Sequence, residues 1–172
     1  MDLSSLRLVL SAGEALPAEL YRRWFQRTHV EILDGIGSAE MFHIYLSNRP
    51  GDVGIGTLGR LVPGYEARIV DANEQDLPVG EIGTLWVKGP SNAICYHGDR
   101  EKTRSTFRGH WTVTGDQFRI DSEGRYVYCG RADDMLKIGG VYVAPAEVEN
   151  CLLTHPAVRE VAVVGIEKAG LM

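Results

Sequence analysis

The chain has no run approaching eighteen apolar residues, so the sequence predicts no transmembrane helix. Its first residues, Met1-Asp2-Leu3-Ser4-Ser5-Leu6, lack the basic-then-apolar layout of a signal peptide. Cysteine is scarce. Cys95, Cys129 and Cys151 are an odd number with no CxxC spacing, and they read as free thiols in a cytoplasmic protein. The five histidines form no HExxH or other close pair, so no histidine-built metal cage is indicated. Positive charge is not in excess: the net charge is −5 with both signs mixed, which argues against a nucleic-acid footprint. Internal repeats and low-complexity tracts are missing too. What remains is 172 residues, enough for one domain or one and a piece, and 44% apolar, enough for a core.

Chemistry concentrates between Trp111 and Glu149. Thr114-Gly115-Asp116 follows a short apolar run and predicts a carboxylate on a tight turn. A carboxylate there can accept two hydrogen bonds from a ribose diol. Arg131, in Gly130-Arg131-Ala132-Asp133-Asp134, can grip a sugar or phosphate oxygen with its planar fork. Lys137 adds a mobile charge two residues before Gly139-Gly140, where a missing Cβ permits close approach of a chain or ligand. Taken singly, each of these residues fits a β-hairpin and a glycine turn carrying surface charge. The ordered set is harder to explain that way.

A second informative stretch is Asp34-Gly35-Ile36-Gly37-Ser38-Ala39-Glu40. Its glycines and serine would let backbone approach a nucleotide, and Glu40 could hold a magnesium ion. As an isolated glycine turn it reads more simply as a strand-to-loop connection.

The three late motifs (Thr114-Gly115-Asp116, then Gly130 to Gly140, then Glu147 and Glu149) stand in the order of the adenylate-forming superfamily, which the chain resembles over essentially its whole length. That family comprises acyl- and aryl-CoA ligases, luciferases and peptide-synthetase adenylation domains. The resemblance implies activation of a carboxylic acid by ATP as an acyl-adenylate. A C-terminal lid then swings about a hinge, at Asp133 here, and a thiol takes the acyl group. Ile36-Gly37-Ser38-Ala39-Glu40 resembles the family's YGxTE, with Ile36 replacing the tyrosine that stacks on adenine and Ala39 replacing the threonine whose hydroxyl contacts phosphate. The forms Asp34-Gly35-Ile36-Gly37-Ser38 and Ser11-Ala12-Gly13-Glu14-Ala15-Leu16-Pro17 resemble the benzoate-CoA ligase branch. The resemblance implies nucleotide contacts at Gly13, Glu14, Asp34 to Ala39, Asp116, Arg131, Gly139 and Gly140. It implies magnesium at Glu40 and an acyl pocket bordered by Ala12, Gly13, Phe42 and His43. His43 reads equally well as a half-exposed strand residue. Lys137 would assist thiol transfer or bind a CoA phosphate, or is a surface lysine. Gly139-Gly140 would flank the pantetheine tunnel. The implied small molecules are ATP or AMP, Mg2+, coenzyme A and an aromatic carboxylic acid.

The expected fold is mixed α/β. Residues 1–132 would end a large AMP-binding domain, with an αβ unit over 1–48 and a β-rich subdomain over 49–132. Residues 133–172 would be a hinge and the start of a small α+β lid. Leu6 to Leu10 predicts a buried strand, Pro17 to Thr28 an amphipathic helix and Val30 to Leu33 a parallel strand. Asn48 to Gly64, rich in Gly and Pro, predicts a loop leading into a β-rich section. Strands are predicted at Glu66–Val70 and Gly83–Lys88, helical turns with solvated charges at Arg100–Phe107, and a β-ribbon at Trp111–Cys129. A hairpin should span Gly139-Gly140. A helix should open at Pro145 with Val148, Cys151 and Leu152 on one face, and a strand should follow at Val158–Val164.

The family's phosphate loop, which would precede Ser11, and the late lysine of the lid are both absent, so the chain looks like an internal fragment of a longer ligase. Two other readings stand beside an aryl-acid–CoA ligase: a non-catalytic remnant or interaction module, and an adenylation domain loading a carrier protein. The chain by itself is expected to make no aryl-CoA from benzoate, ATP and CoA. Chromatographic detection of benzoyl-CoA from the purified chain would overturn that expectation.

Overall fold

The computed structural model describes residues 3, 5–138 and 141–166. Two strands, β1 (Val9–Ser11) and β2 (Ile32–Gly37), run parallel, joined by helix α1 (Ala18–Thr28). Pro17 caps α1, where a residue without an N–H costs the helix nothing. The helix stops at His29, whose left-handed backbone turns its N–H onto the Phe25 carbonyl. The Trp24 indole donates to the Val30 carbonyl at 2.8 Å and fixes the exit toward β2.

The buried strand expected at Leu6–Leu10 is shorter and lies open instead. Leu10 is 64% exposed, because β1 is an edge strand with β2 as its neighbour and no cover among the described residues. β2, in contrast, runs past Leu33 through Asp34 to Gly37, so the glycine stretch begins as strand and not as loop. Its glycines explain this. A Cβ on Gly37 would collide with the His43 carbonyl, and one on Gly35 with the Leu46 carbonyl, so only glycine lets β2 lie this close to β3 (Ile44–Ser47). A 3-10 turn at Ala39–Met41 joins the two. The short β4 (Arg60–Leu61), in the stretch expected as loop, pairs with β3 and completes a sheet of order β1-β2-β3-β4. Buried Asn48 ties that stretch down, donating to Asp34 and Thr57 carbonyls and accepting from Gly54 N–H.

The second sheet holds β5 (Glu66–Val70), β6 (Gly83–Lys88), β7 (Phe107–Arg108), β8 (Trp111–Ile120) and β9 (Tyr126–Arg131), in the order β5-β6-β8-β7 with β9 also on β8. Helix α2 (Arg100–Thr106) leads into β7. Thr114-Gly115-Asp116 is not a tight turn but a bulge inside β8. The step from Thr84 to Trp86 on β6 faces the longer step from Val113 to Gln117, and Gly115 takes up the excess at φ 76°. The core lies between the sheets, where Tyr45 and Leu46 of β3 meet Leu85 and Val87 of β6 and Phe118 of β8. Phe118 also meets Tyr126 and Tyr128 edge-on. Cys129 is buried, and burial pushes its thiol up to about 11, while Cys95 and Cys151 are exposed and free.

Strands β10 (Leu136–Ile138) and β11 (Val141–Val143) form the expected hairpin. Gly139 and Gly140 lie outside the described residues, as does the side chain of Lys137. Helix α3 (Pro145–Leu153) opens with proline in its first turn. Its expected apolar face, Val148, Cys151 and Leu152, is exposed. Val158–Val164 is not a strand. It has no ladder partner among the described residues, and a β-branched run cannot form a sheet alone. Among the described residues no helix is long and apolar enough to cross a membrane.

Phe118→Ala removes a fully buried ring at the centre of this core and is expected to cost about 3–5 kcal/mol of stability. Urea unfolding checks this. The midpoint should fall with little change in slope, and an unmoved midpoint would place the core elsewhere.

Candidate functional site

The carboxyl end of β2 and the bulge of β8 face each other across a cavity of about 700 Å³. Open parallel strand ends are where such folds hold ligands. One wall is Gly13 to Ala15, from the turn after β1, with Gly35 to Ser38 and Glu40 beside it. The opposite wall is Thr112 to Asp116 on β8, with Tyr128 and Arg131 on β9. Leu58 adds apolar floor, and Tyr96, Lys102, Ser105 and Thr106 form a rim before and along α2.

Asp116 is delivered by the bulge. Its N–H donates to the Thr114 hydroxyl at 3.1 Å, and that hydroxyl donates to the Leu85 carbonyl at 2.9 Å, pinning the bulge to β6. The register then sets Asp116 opposite Arg131, whose guanidinium lies 3.4 Å from Oδ1. A Cβ on Gly115 would sit 3.2 Å from that guanidinium. Burial pushes the Asp116 carboxyl up, Arg131 pulls it part of the way back, and the net direction is up. Glu40 is tuned the other way. Partial burial is the largest single influence and raises it, but the Tyr96 hydroxyl, the Glu40 backbone N–H, the Ser38 hydroxyl and the nearby Lys102 charge together outweigh this and hold the carboxyl below its ordinary value. Backbone bonds fix Glu40 as well, its carbonyl accepting from Ala93 N–H at 2.7 Å. Ser38 lines the cavity with its hydroxyl buried, close enough to the Glu40 carboxylate to lower it but in no well-formed hydrogen bond among the described residues.

Nine of the residues expected at a nucleotide or metal site therefore share one cavity: Gly13, Glu14, Gly35, Ile36, Gly37, Ser38, Glu40, Asp116 and Arg131. Others do not line it. Asp34 is buried beneath it and structural, its Oδ2 accepting from Leu16 N–H at 3.1 Å and so holding the turn ahead of α1. Ala12, Ala39, Phe42 and His43 are exposed outside the lining. Phe42 is 83% exposed and sits in a positive-φ turn. Asp133 is exposed and lies 3.5 Å from Arg131, on a neighbouring cleft of about 490 Å³ between β9 and α3. No group of three or more His, Cys, Asp or Glu able to hold a metal occurs among the described residues, so Glu40 would supply one ligand and the remainder would come from elsewhere.

Sequence reasoning passed over Tyr96, Tyr128 and the α2 rim. Lys102, Ser105 and Thr106 are spaced i, i+3, i+4, which puts them on one helix face. That spacing is visible in the sequence, but the charges on so short a helix read as solvated surface.

An acid whose pKa is raised on folding binds its proton more tightly folded than unfolded. Ionisation of Asp116 therefore removes stability as pH climbs from the unfolded value to the folded one, and the loss persists above it. Asp116→Asn is expected to raise the melting temperature at pH 7, with the gain vanishing near pH 3, where the carboxyl is protonated in both states. Melts at the two pH values test this, and a variant no more stable at pH 7 would refute it.

Residues 1–97 match the AMP-binding enzyme family. The chain is 54% identical over 163 residues to a benzoate–CoA ligase of Thauera aromatica, covering 94% of this chain and 31% of the relative. It is 46% identical to a 4-hydroxybenzoate–CoA/benzoate–CoA ligase of Rhodopseudomonas palustris, covering 94% of this chain and 30% of that one. Among solved structures, the anthranilate CoA ligase AuaEII in complex with anthranoyl-AMP superposes with a TM-score of 0.96 at 49% identity, over 99% of this chain and 33% of that one. A benzoate CoA ligase from Burkholderia xenovorans LB400 superposes with a TM-score of 0.91 at 52% identity, over 97% of this chain and 33% of its own. The chain thus spans about a third of the length of the relatives it matches.

Proposed function

Because the chain belongs to the AMP-binding enzyme family, we infer that its cavity is an adenylate site. In a protein built like the relatives, it would serve an AMP-forming ligase that joins an aromatic carboxylic acid to coenzyme A. The observation that carries this reading is the meeting of Asp116 and Arg131 with Gly35 to Ser38 and Glu40 around one cavity.

A carboxylate is a poor acyl donor, because its leaving group would be oxide. When a carboxylate oxygen attacks the α-phosphorus of ATP, pyrophosphate leaves and the acyl group acquires AMP as a leaving group. A thiol then attacks the carbonyl carbon, loses its proton and expels AMP. The cavity's part is positioning. Asp116 would accept both ribose hydroxyls, recovering the cost of its burial, and Arg131 would steady that carboxylate and a sugar or phosphate oxygen. Gly35 and Gly37 keep backbone bare beside the base, and aliphatic Ile36 would pack on it. The buried Ser38 hydroxyl, beside the Glu40 carboxylate without a well-formed bond, would turn to bond a ligand oxygen, in place of the hydroxyl that Ala39 lacks. Glu40 would hold magnesium jointly with phosphate oxygens, since Mg2+ commonly takes one or two carboxylates and completes its shell with phosphate and water. That ion would neutralise charge developing on the α-phosphate.

The aromatic acid is inferred from the relatives, named for benzoate, hydroxybenzoate and anthranilate. Ala12, Phe42 and His43 would border its ring, next to the lining residues Gly13 and Glu40, and their exposure leaves them free to meet it. Asp133 would act as hinge between residues 1–132 and the lid that follows. Its place between β9 and β10, at element ends, suits a large backbone rotation. After rotation Lys137 and Gly139-Gly140 would approach the CoA thiol. Three free cysteines accord with work in the cytoplasm.

Calorimetric titration of the chain with AMP tests the site. Wild type is expected to bind, and Asp116→Ala to bind about tenfold more weakly or worse. A folded chain that binds no AMP, or binds it equally without the Asp116 carboxylate, would overturn the adenylate reading and favour a non-catalytic remnant.

A further inference from the structure

We propose that Lys102, Ser105 and Thr106 form a binding face for a diphosphate group on the rim of the cavity. This deepens, and rests on, the reading of the cavity as a nucleotide site. The three residues share one face of α2 and all line the cavity, a cation flanked by two hydroxyls. The Ser105 hydroxyl donates to the Lys102 carbonyl at 3.0 Å and the Thr106 hydroxyl meets that of Tyr96, so each would turn from a local partner to a ligand oxygen while the ammonium leads the contact. A compact ammonium with neighbouring hydroxyls suits a phosphate oxygen well.

The cavity has two cations in its lining, and they are not equivalent. Arg131 is already committed, 3.4 Å from Asp116 and 3.5 Å from Asp133. Lys102 makes no ion pair among the described residues. Tyr96 accounts for this. Its hydroxyl donates to Glu40, and its ring carries the Lys102 ammonium 4.4 Å from the centroid. The tyrosine thus satisfies the carboxylate and holds the ammonium without letting the two pair. Tyr96 is itself fixed, its ring against Phe107 at 5.5 Å and its N–H donating to the Thr103 hydroxyl at 3.0 Å. Asp99 caps the helix through Lys102 N–H at 2.9 Å, so the residue is anchored at its backbone while its charge stays free.

A diphosphate could be the tail of ATP or the diphosphate of coenzyme A, and free pyrophosphate carries the same chemistry. Wild type, Lys102→Ala, Lys102→Gln and Lys102→Arg are titrated calorimetrically with pyrophosphate, AMP, ATP and CoA, with circular dichroism confirming the fold. Loss of the charge in the Ala and Gln variants is expected to weaken pyrophosphate, and ATP or CoA or both, about tenfold, with a much smaller effect on AMP. Lys102→Arg should retain most of the affinity, and added salt should narrow the gap between wild type and Lys102→Ala. A loss on ATP assigns the face to the nucleotide tail, and a loss on CoA alone assigns it to that cosubstrate. Wild type that ignores pyrophosphate, variants that bind it equally, or an AMP loss as large as the ATP loss would each overturn the proposal. Lys102-dependent pyrophosphate binding in a chain that ignores AMP would keep this face and remove the adenylate reading alone.

Discussion

Gly115 holds a backbone conformation that a side chain would resist, and it does so where a Cβ would press on the Arg131 guanidinium at 3.2 Å. Much of the site follows from that one residue. The bulge lets β8 slip against β6 while Val113 and Gln117 on either side stay paired. The slip turns Asp116 toward the cavity and sets it opposite Arg131, and it leaves Phe118 in the core. A slip of one residue would exchange the faces of every side chain beyond it. Site and core are therefore settled by the same local irregularity, with the Thr114 hydroxyl on Leu85 as its fastening.

The two cavity acids occupy opposite energetic positions. Asp116 is buried with a lone cationic partner and is raised, so the empty protein holds it at a cost that incoming hydroxyl donors would relieve. Glu40 is already satisfied by Tyr96 and keeps its charge readily. One acid is short of hydrogen-bond donors and the other already has them. Glycine makes both possible, since Gly35 and Gly37 carry β2 against β3 and so fix where Glu40 emerges.

Short-range patterns were the legible part of the sequence. Glycine and acid spacings within β2, β8 and β9 announced a shared site, because each motif positions its own residues. Partners far along the chain were not legible. Thr114-Gly115-Asp116 reads as a turn until β6, some thirty residues earlier, is known to pair across it. Asp34 looks like a ligand-facing acid in a glycine run, yet its partner is the backbone of Leu16, eighteen residues away. Leu8-Val9-Leu10 and Val158–Val164 declare a wish for cover, and composition cannot say whether cover is supplied. The α2 rim failed differently. Its helical spacing was visible, but nothing local tells a charge that faces water from one that faces a cavity.

The three thiols differ in a way that makes the molecule its own reporter. Cys129 lies in the core with its thiolate form suppressed, and an alkylating dye would leave it dark. Cys95 and Cys151 are open to solvent, the first adjoining Tyr96 on the cavity rim and the second on α3 beyond the Asp133 turn. Two fluorophores could thus be attached to the native sequence on either side of the supposed pivot. The distance between them would follow any swing of the C-terminal segment as AMP is added.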